Sequence, residues 1–174
     1  MATGIAAEVE CLCPMDPKTK QKVLRLLTNG IYVMTSRSGE KFGAATVTWV
    51  SQAGFKPPLL MAALRKDGNV LECLLESRQA VLHILDKQQA QIAQKFFVSA
   101  KEFGGLLNGE PYTKAKKILA PVLTSAHAYL ECEVRETIET QSDHAIAVLE
   151  VVHAEIRQDT SPLTVADSPW EYGG

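Results

Sequence analysis

The chain has 174 residues, 46% of them hydrophobic, and 18 basic against 20 acidic side chains give a formal net charge of -2. That is enough chain for one domain with a substantial core and too little for two ordinary ones, so a single domain over 1–174 is expected, its core at about 17–158 and a tail at 159–174. The near balance of charge gives no electrostatic pull toward nucleic acid or an anionic membrane, which leaves a small molecule or another protein as partner.

Asp16 followed by Pro17 has the form of an N-cap with proline at the first helical position, and "KTKQKVLRLL" then places Val23, Leu26 and Leu27 on one face of a helix ended by Asn29-Gly30. "IYVMTSR", a turn through "SGEK", and "FGAATVTWVSQAG" read as two strands of a hairpin. Pro57-Pro58 cannot lie inside a central ladder, so it stops the second strand before a third, "LLMAALR". "VLECLLES" predicts a short helix with Leu71, Leu74 and Leu75 available to pack, "AVLHILD" a strand and "QQAQIAQKFF" another short helix. Residues 98–116, with Gly104, Gly105, Asn108, Gly109 and Pro111, read as a long irregular connection. "AYLECEVRETIET" alternates Leu130, Cys132 and Val134 against Tyr129, Glu131 and Glu133, and pairs across "QSDH" with "HAIAVLEVVHAEIR". Antiparallel strands interrupted by short helices predict a mainly β fold, a closed or nearly closed barrel.

Several chemistries have no footing. There is no phosphate-binding G-x-x-x-x-G-K-[ST] loop, no G-x-G-x-x-G after a strand and no G-x-S-x-G. Glu131 and Glu133 share one strand face, which spacing alone assigns to a solvated surface rather than to a catalytic pair. Cys11, Cys13, Cys73 and Cys132 form no pair of C-x-x-C motifs and the histidines are scattered, so reduced thiols and no metal site are expected. No apolar run reaches roughly 18 residues and the start "MATGIAAEVECLCPMDP" lacks a basic head, which predicts a cytoplasmic protein with no membrane segment.

One stretch stands out. In "GAATVTWVSQAGFKPPLL" polar residues occupy positions where a core strand would carry aliphatics: Thr46, Thr48, Ser51 and Gln52. On a strand Thr46, Thr48 and Gln52 project together, with Val47 and Trp49 on the other face. Such a row is either a wetted β-face or a rim of hydroxyl and amide groups that meets a polar ligand.

Three segments tip that choice by resemblance. "TNGIYVMTSRSGEKFGAATVTWVSQAGFKPPLLMAAL", then "HILDKQQAQIAQKF", then "NGEPYTKAKKILAPVLTSAHAYLECEV" with "SDH" after it, resemble in order and spacing the flavin reductase-like, FMN-binding split-barrel family. They are especially similar to the flavin-reductase domain of cyanobacterial flavodiiron proteins, and the match covers roughly residues 28–157.

The resemblance implies an antiparallel split barrel and an FMN-binding homodimer, with FAD as the other flavin, that takes electrons from NADH or NADPH. It supplies reduced flavin to an oxygenase or redox partner; the alternative is a flavoredoxin-like electron-transfer protein with tightly bound FMN. The resemblance also implies that the flavin edge lies along Thr46, Val47, Thr48 and Trp49, and that Lys66, beside Arg65, and Asn69 receive the phosphate near a helix start. It makes Gln89 a further contact, and Phe96 or Phe97 either a flavin wall or core. His83 stands where the family has asparagine, and Ser142 where it often has glycine. His144 is the candidate catalytic residue, positioning the nicotinamide or steadying reduced-flavin charge; no essential acid or base is expected, because the cofactor carries the reaction.

Overall fold

In the computed structural model the described residues are 15–159 and 161–170. The chain divides into two compact units, residues 1–27 with 172–174 and residues 28–171. Cys11 and Cys13 lie outside the described residues. In the first unit, helix α1 (Pro17–Leu24) starts as the sequence predicts, with the Asp16 carboxylate accepting from Thr19 N at 2.7 Å and Pro17 in the first turn. It stops short of Leu26, Leu27 and Asn29-Gly30, and none of its residues is buried, so the core does not begin at residue 17.

The second unit runs through strands β1 (Tyr32–Ser38), β2 (Lys41–Val47), β3 (Val50–Phe55) and β4 (Pro58–Arg65), helix α2 (Asn69–Ser77) and strand β5 (Gln79–Ile84). A 3₁₀ turn at Lys87–Gln89 leads into helix α3 (Ala90–Lys95). Short strands β6 (Glu102–Phe103), β7 (Leu106–Leu107), β8 (Glu110–Lys114) and β9 (Pro121–Leu123) precede the long pair β10 (Ala128–Glu139) and β11 (His144–Ile156).

Seven strands form one antiparallel sheet in the order β2-β1-β5-β10-β11-β4-β3. The run "FGAATVTWVSQAG", expected as one strand, is therefore two: Val47 pairs with Tyr32 at one edge of the sheet, and Val50 pairs with Ala62 at the other. Only Thr48 and Trp49 separate the two edges. Three peptide steps reach at most about 10 Å, so the sheet has to roll until its edges meet at these residues. The result is a barrel that is split rather than hydrogen-bonded shut, with Thr48-Trp49 as its seam. Pro58 falls at the first residue of β4, the position in a ladder where proline is tolerated.

Period-two alternation fills the barrel. Leu60, Ala62 and Leu64 of β4 and Ala145, Ala147 and Leu149 of β11 pack with Met34, Leu82, Cys132 and the α2 residues Val70, Leu71 and Leu74. Leu75, expected to pack, is exposed. At Gly43 the start of α2 comes so close to β2 that an added Cβ would lie 2.5 Å from Asn69 O. The opposite side of the sheet is covered as well: Val81 and Tyr129 meet Ile118, Ala120 and Val122. For that reason Tyr129 and Glu131, read from alternation as wetter positions, are buried.

Two further expectations are corrected. The connection at 98–116 is not irregular but contributes to a second sheet, β6-β7-β8-β9, turned at Gly104 and Gly105, whose φ values of +60° and +81° favour glycine. The tail set off at 159 is docked rather than peripheral. Leu163 is fully buried; its amide donates to Leu85 O at 2.9 Å and its carbonyl accepts from Ile31 N at 2.8 Å. Trp170 meets Phe97 edge-on with ring centroids 4.9 Å apart.

Candidate functional site

The seam gathers polar groups from both sheet edges. On the β2 edge, Thr46 is tied to α3: its hydroxyl donates to Ala93 O at 2.6 Å and its amide to Phe96 O at 3.0 Å. The helix end thereby covers backbone that an edge strand would leave unpaired. Val47 turns its side chain into the barrel core and pairs through its backbone with Tyr32 of β1. Thr48 is only 7% exposed, yet its hydroxyl pairs with no described residue. Among the described residues the buried side-chain atoms without a partner are His127 Nδ1 and His153 Nε2; the Thr48 oxygen is not one of them, so it reaches the surface, where an incoming acceptor or donor can meet it.

On the β3–β4 side, Trp49 is partly exposed, its carbonyl accepting from Ala63 N at 2.9 Å, and its ring lies 4.7 Å from that of His144 at 48°. His144 opens β11 opposite Arg65 of β4, and its Nδ1 is 2.8 Å from Asp143 Oδ1. Hydrogen bonds from His144 and Ser142 hold the Asp143 carboxyl below its ordinary range. The Thr140 hydroxyl donates to His144 O and accepts from Ser142 N at 3.2 Å, which closes the 140–144 turn beneath the imidazole. Lys66 sits on the same turn: its Nζ donates to Thr140 O at 2.6 Å and lies 3.1 Å from Glu139 Oε2, while its amide donates to Asp143 O at 2.9 Å.

Thr48, Trp49, Lys66 and His144 thus belong to one neighbourhood, with Thr46 on its β2 flank. The other sequence candidates have structural employment. Asn69 opens α2, but its amide faces β2, accepting from Ala44 N at 3.4 Å and donating to Phe42 O at 3.5 Å. Gln89 closes a capping box, accepting from Asp86 N at 3.0 Å, and donates to Ser125 O at 2.8 Å. Phe96 is core, whereas Phe97 is half exposed against Trp170. Gln52, grouped with the threonines by strand alternation, sits exposed in β3 beyond the seam. Sequence reasoning passed over Asp67, Glu139 and Asp143, the carboxylates that accompany the seam's cations. A pairing of charges across separate turns leaves no sequence period.

His83 is a scaffold group. It is fully buried, its Nδ1–H donating to Val33 O at 2.9 Å and its Nε2 accepting from Leu123 N at 3.0 Å, and burial pushes its pKa down to about 4. Cys132, also buried, has its thiol pushed up to about 12. Among the described residues no group of three His, Cys, Asp or Glu is arranged to hold a metal ion, and no helix is long and apolar enough to cross a membrane.

Fold and seam define an antiparallel split β-barrel whose polar groups collect where the barrel fails to close. Residues 24–171 match the family described as flavin reductase like domain, and the chain belongs to it. It is 33% identical over 156 residues to diflavin flavoprotein A 1 of Synechocystis sp., a match covering 87% of this chain and 26% of that protein. The chain thus spans about a quarter of that relative's length. Among solved structures, the flavin reductase of styrene monooxygenase from Pseudomonas putida S12 superposes with a TM-score of 0.70 at 24% identity, covering 83% of this chain and 90% of that one. The NADH:FAD oxidoreductase of Streptomyces globisporus C-1027 superposes at 0.75 and 20%, covering 92% and 96%. At these identities the superpositions speak for the split-barrel fold.

Proposed function

We propose that this chain is an NAD(P)H-dependent flavin reductase that binds FMN along the seam, works as a homodimer in the cytoplasm and passes reduced flavin to an oxygenase or redox protein. The observation that carries the reading is the Thr48 hydroxyl, without a partner among the described residues, at the step between the two sheet edges, in a chain that belongs to the flavin reductase like family. When bound, flavin accepts hydride from the nicotinamide and supplies the redox chemistry itself.

The chain's own residues then bind and align. Thr48 presents its hydroxyl to the ring's polar rim at the step between Val47 and Trp49, with Thr46 steadying β2 from behind through its bond to Ala93 O. The phosphate end falls toward Lys66 and the start of α2, whose N-cap Gly68 makes no side-chain capping bond. His144, oriented by Asp143 and tilted against the Trp49 ring, offers a polar surface for the nicotinamide.

The test is anaerobic titration of the purified chain, mixed with FMN, by NADH and by NADPH. Rapid loss of the yellow oxidised-flavin absorbance with either nicotinamide is expected. A yellow complex inert to both overturns the reductase reading in favour of an electron-transfer flavoprotein, and failure to bind FMN overturns the flavin reading altogether.

A further inference from the structure

The corner that follows β4 carries cations, but none stands without acid nearby. Arg65 forks onto Asp67, with Nε 2.9 Å from Oδ1 and a terminal nitrogen 2.6 Å from Oδ2. Lys66 is held by Glu139 at 3.1 Å and by the Thr140 carbonyl. Asp143 adjoins through the Lys66 amide, near enough for its charge to act on Asp67. On α2, Glu72 and Glu76 share Lys41, at 2.9 and 3.3 Å. At the corner itself two cations thus meet three carboxylates, Asp67, Glu139 and Asp143, with Glu72 in the first turn of α2 beyond them. Asn69, the one neutral polar candidate, has its amide turned toward β2.

A phosphate monoester brings about −1.5 to −2 of charge at pH 7. Entering a rim already negative, it is repelled within a screening length of about 8–10 Å at ordinary salt, and to reach Arg65 or Lys66 it has to displace their carboxylates. The dipole of α2 is the attraction that remains. The seam groups that meet the ring, Thr48 above all, are indifferent to what the ribityl chain ends in.

Resting on the flavin reading above, we infer that this site recognises the isoalloxazine and ribityl portion and gains little from the phosphate: neutral riboflavin binds about as well as FMN, and Asp67 and Glu139 set that indifference. Flavin is then an exchanging substrate rather than a resident group.

The test measures dissociation constants of riboflavin and FMN by quenching of flavin fluorescence on the whole chain, without nicotinamide. The two are expected to agree within about threefold at 0.15 M-type ionic strength, with FMN gaining on riboflavin as salt rises. The double variant Asp67→Asn, Glu139→Gln is expected to tighten FMN by about tenfold and leave riboflavin unchanged, since each carboxylate is largely exposed and no part of the core. FMN binding about thirtyfold or more tighter than riboflavin in the native chain, or a double variant that leaves the FMN constant where it was, overturns the inference while sparing the flavin reading. Absence of binding by both flavins overturns the flavin reading and this inference with it.

Discussion

Along segment 116–123, four polar side chains of the sheet each reach a backbone partner. Thr35 donates to Pro121 O, Gln79 accepts from Leu119 N, His83 accepts from Leu123 N, and Glu131 accepts from Lys116 N and Lys117 N at 2.7 Å each. At the seam the pattern is reversed: the Thr48 hydroxyl has no partner among the described residues, and Lys66 and His144 hold exposed acids. The difference teaches how to sort polar residues in a β-barrel. Where every donor and acceptor is consumed inside the chain, the group is a fastener; where one is left over beside a break in the ladder, it is available to a ligand.

The largest expected effect falls on the fastened side. Replacing Glu131 by Ala removes a fully buried carboxylate and leaves two part-buried amides without acceptors, so a loss of about 3 kcal/mol in urea unfolding is expected. Glu131→Gln, which keeps one acceptor, should lose roughly half as much. Flavin affinity of the folded variant should be unchanged; a variant of native stability would remove the distinction between the two regions.

His83 sharpens the comparison through pH. Its folded pKa of about 4 lies below the ordinary value of 6.5, so between these values the unfolded chain binds more protons than the folded one. Its contribution is therefore fully present above pH 6.5 and is lost as pH falls toward 4, by up to about 3 kcal/mol. Urea midpoints measured across that window should drop steeply in the native chain and less steeply in His83→Asn. Equal slopes would show that the imidazole is not what makes this side acid-sensitive.

These contrasts mark what a sequence discloses. Strands, short helices and the proline stop were legible because side-chain period and turn residues act locally, as in β4 and β11. The break at Thr48-Trp49 was not, because what ends β2 is the closure of the sheet, a property of all seven strands together. Glu131 reads as a wetted acid by alternation, and only the segment folded over it makes it a fastener. The threonine row was visible as polar residues in a strand, while its flavin role, like that of His144, was assigned by resemblance to a family. Their bonding, and the acids Asp67 and Glu139 beside the cations, depend on turns that meet only in the folded chain.

The smallest expected effect is the most discriminating, since it sets two neighbours of the same type against each other. Thr46 spends its hydroxyl proton on Ala93 O, which also accepts from Phe96 N, so Thr46→Val should cost about 1 kcal/mol in stability by removing one of that carbonyl's two hydrogen bonds. Thr48 makes no such bond, and Thr48→Val conserves its shape, so stability should stay within about 0.5 kcal/mol. Flavin binding should reverse the order. Losing the Thr48 hydroxyl removes one hydrogen bond to the ligand and should weaken FMN and riboflavin alike by about fivefold, while Thr46→Val changes either constant by less than about twofold. Paired unfolding and fluorescence titrations of the two variants read both quantities. If Thr48→Val were the destabilising variant and left both flavin constants unmoved, the seam would be one more fastener, and the ligand would have to be sought elsewhere on the barrel.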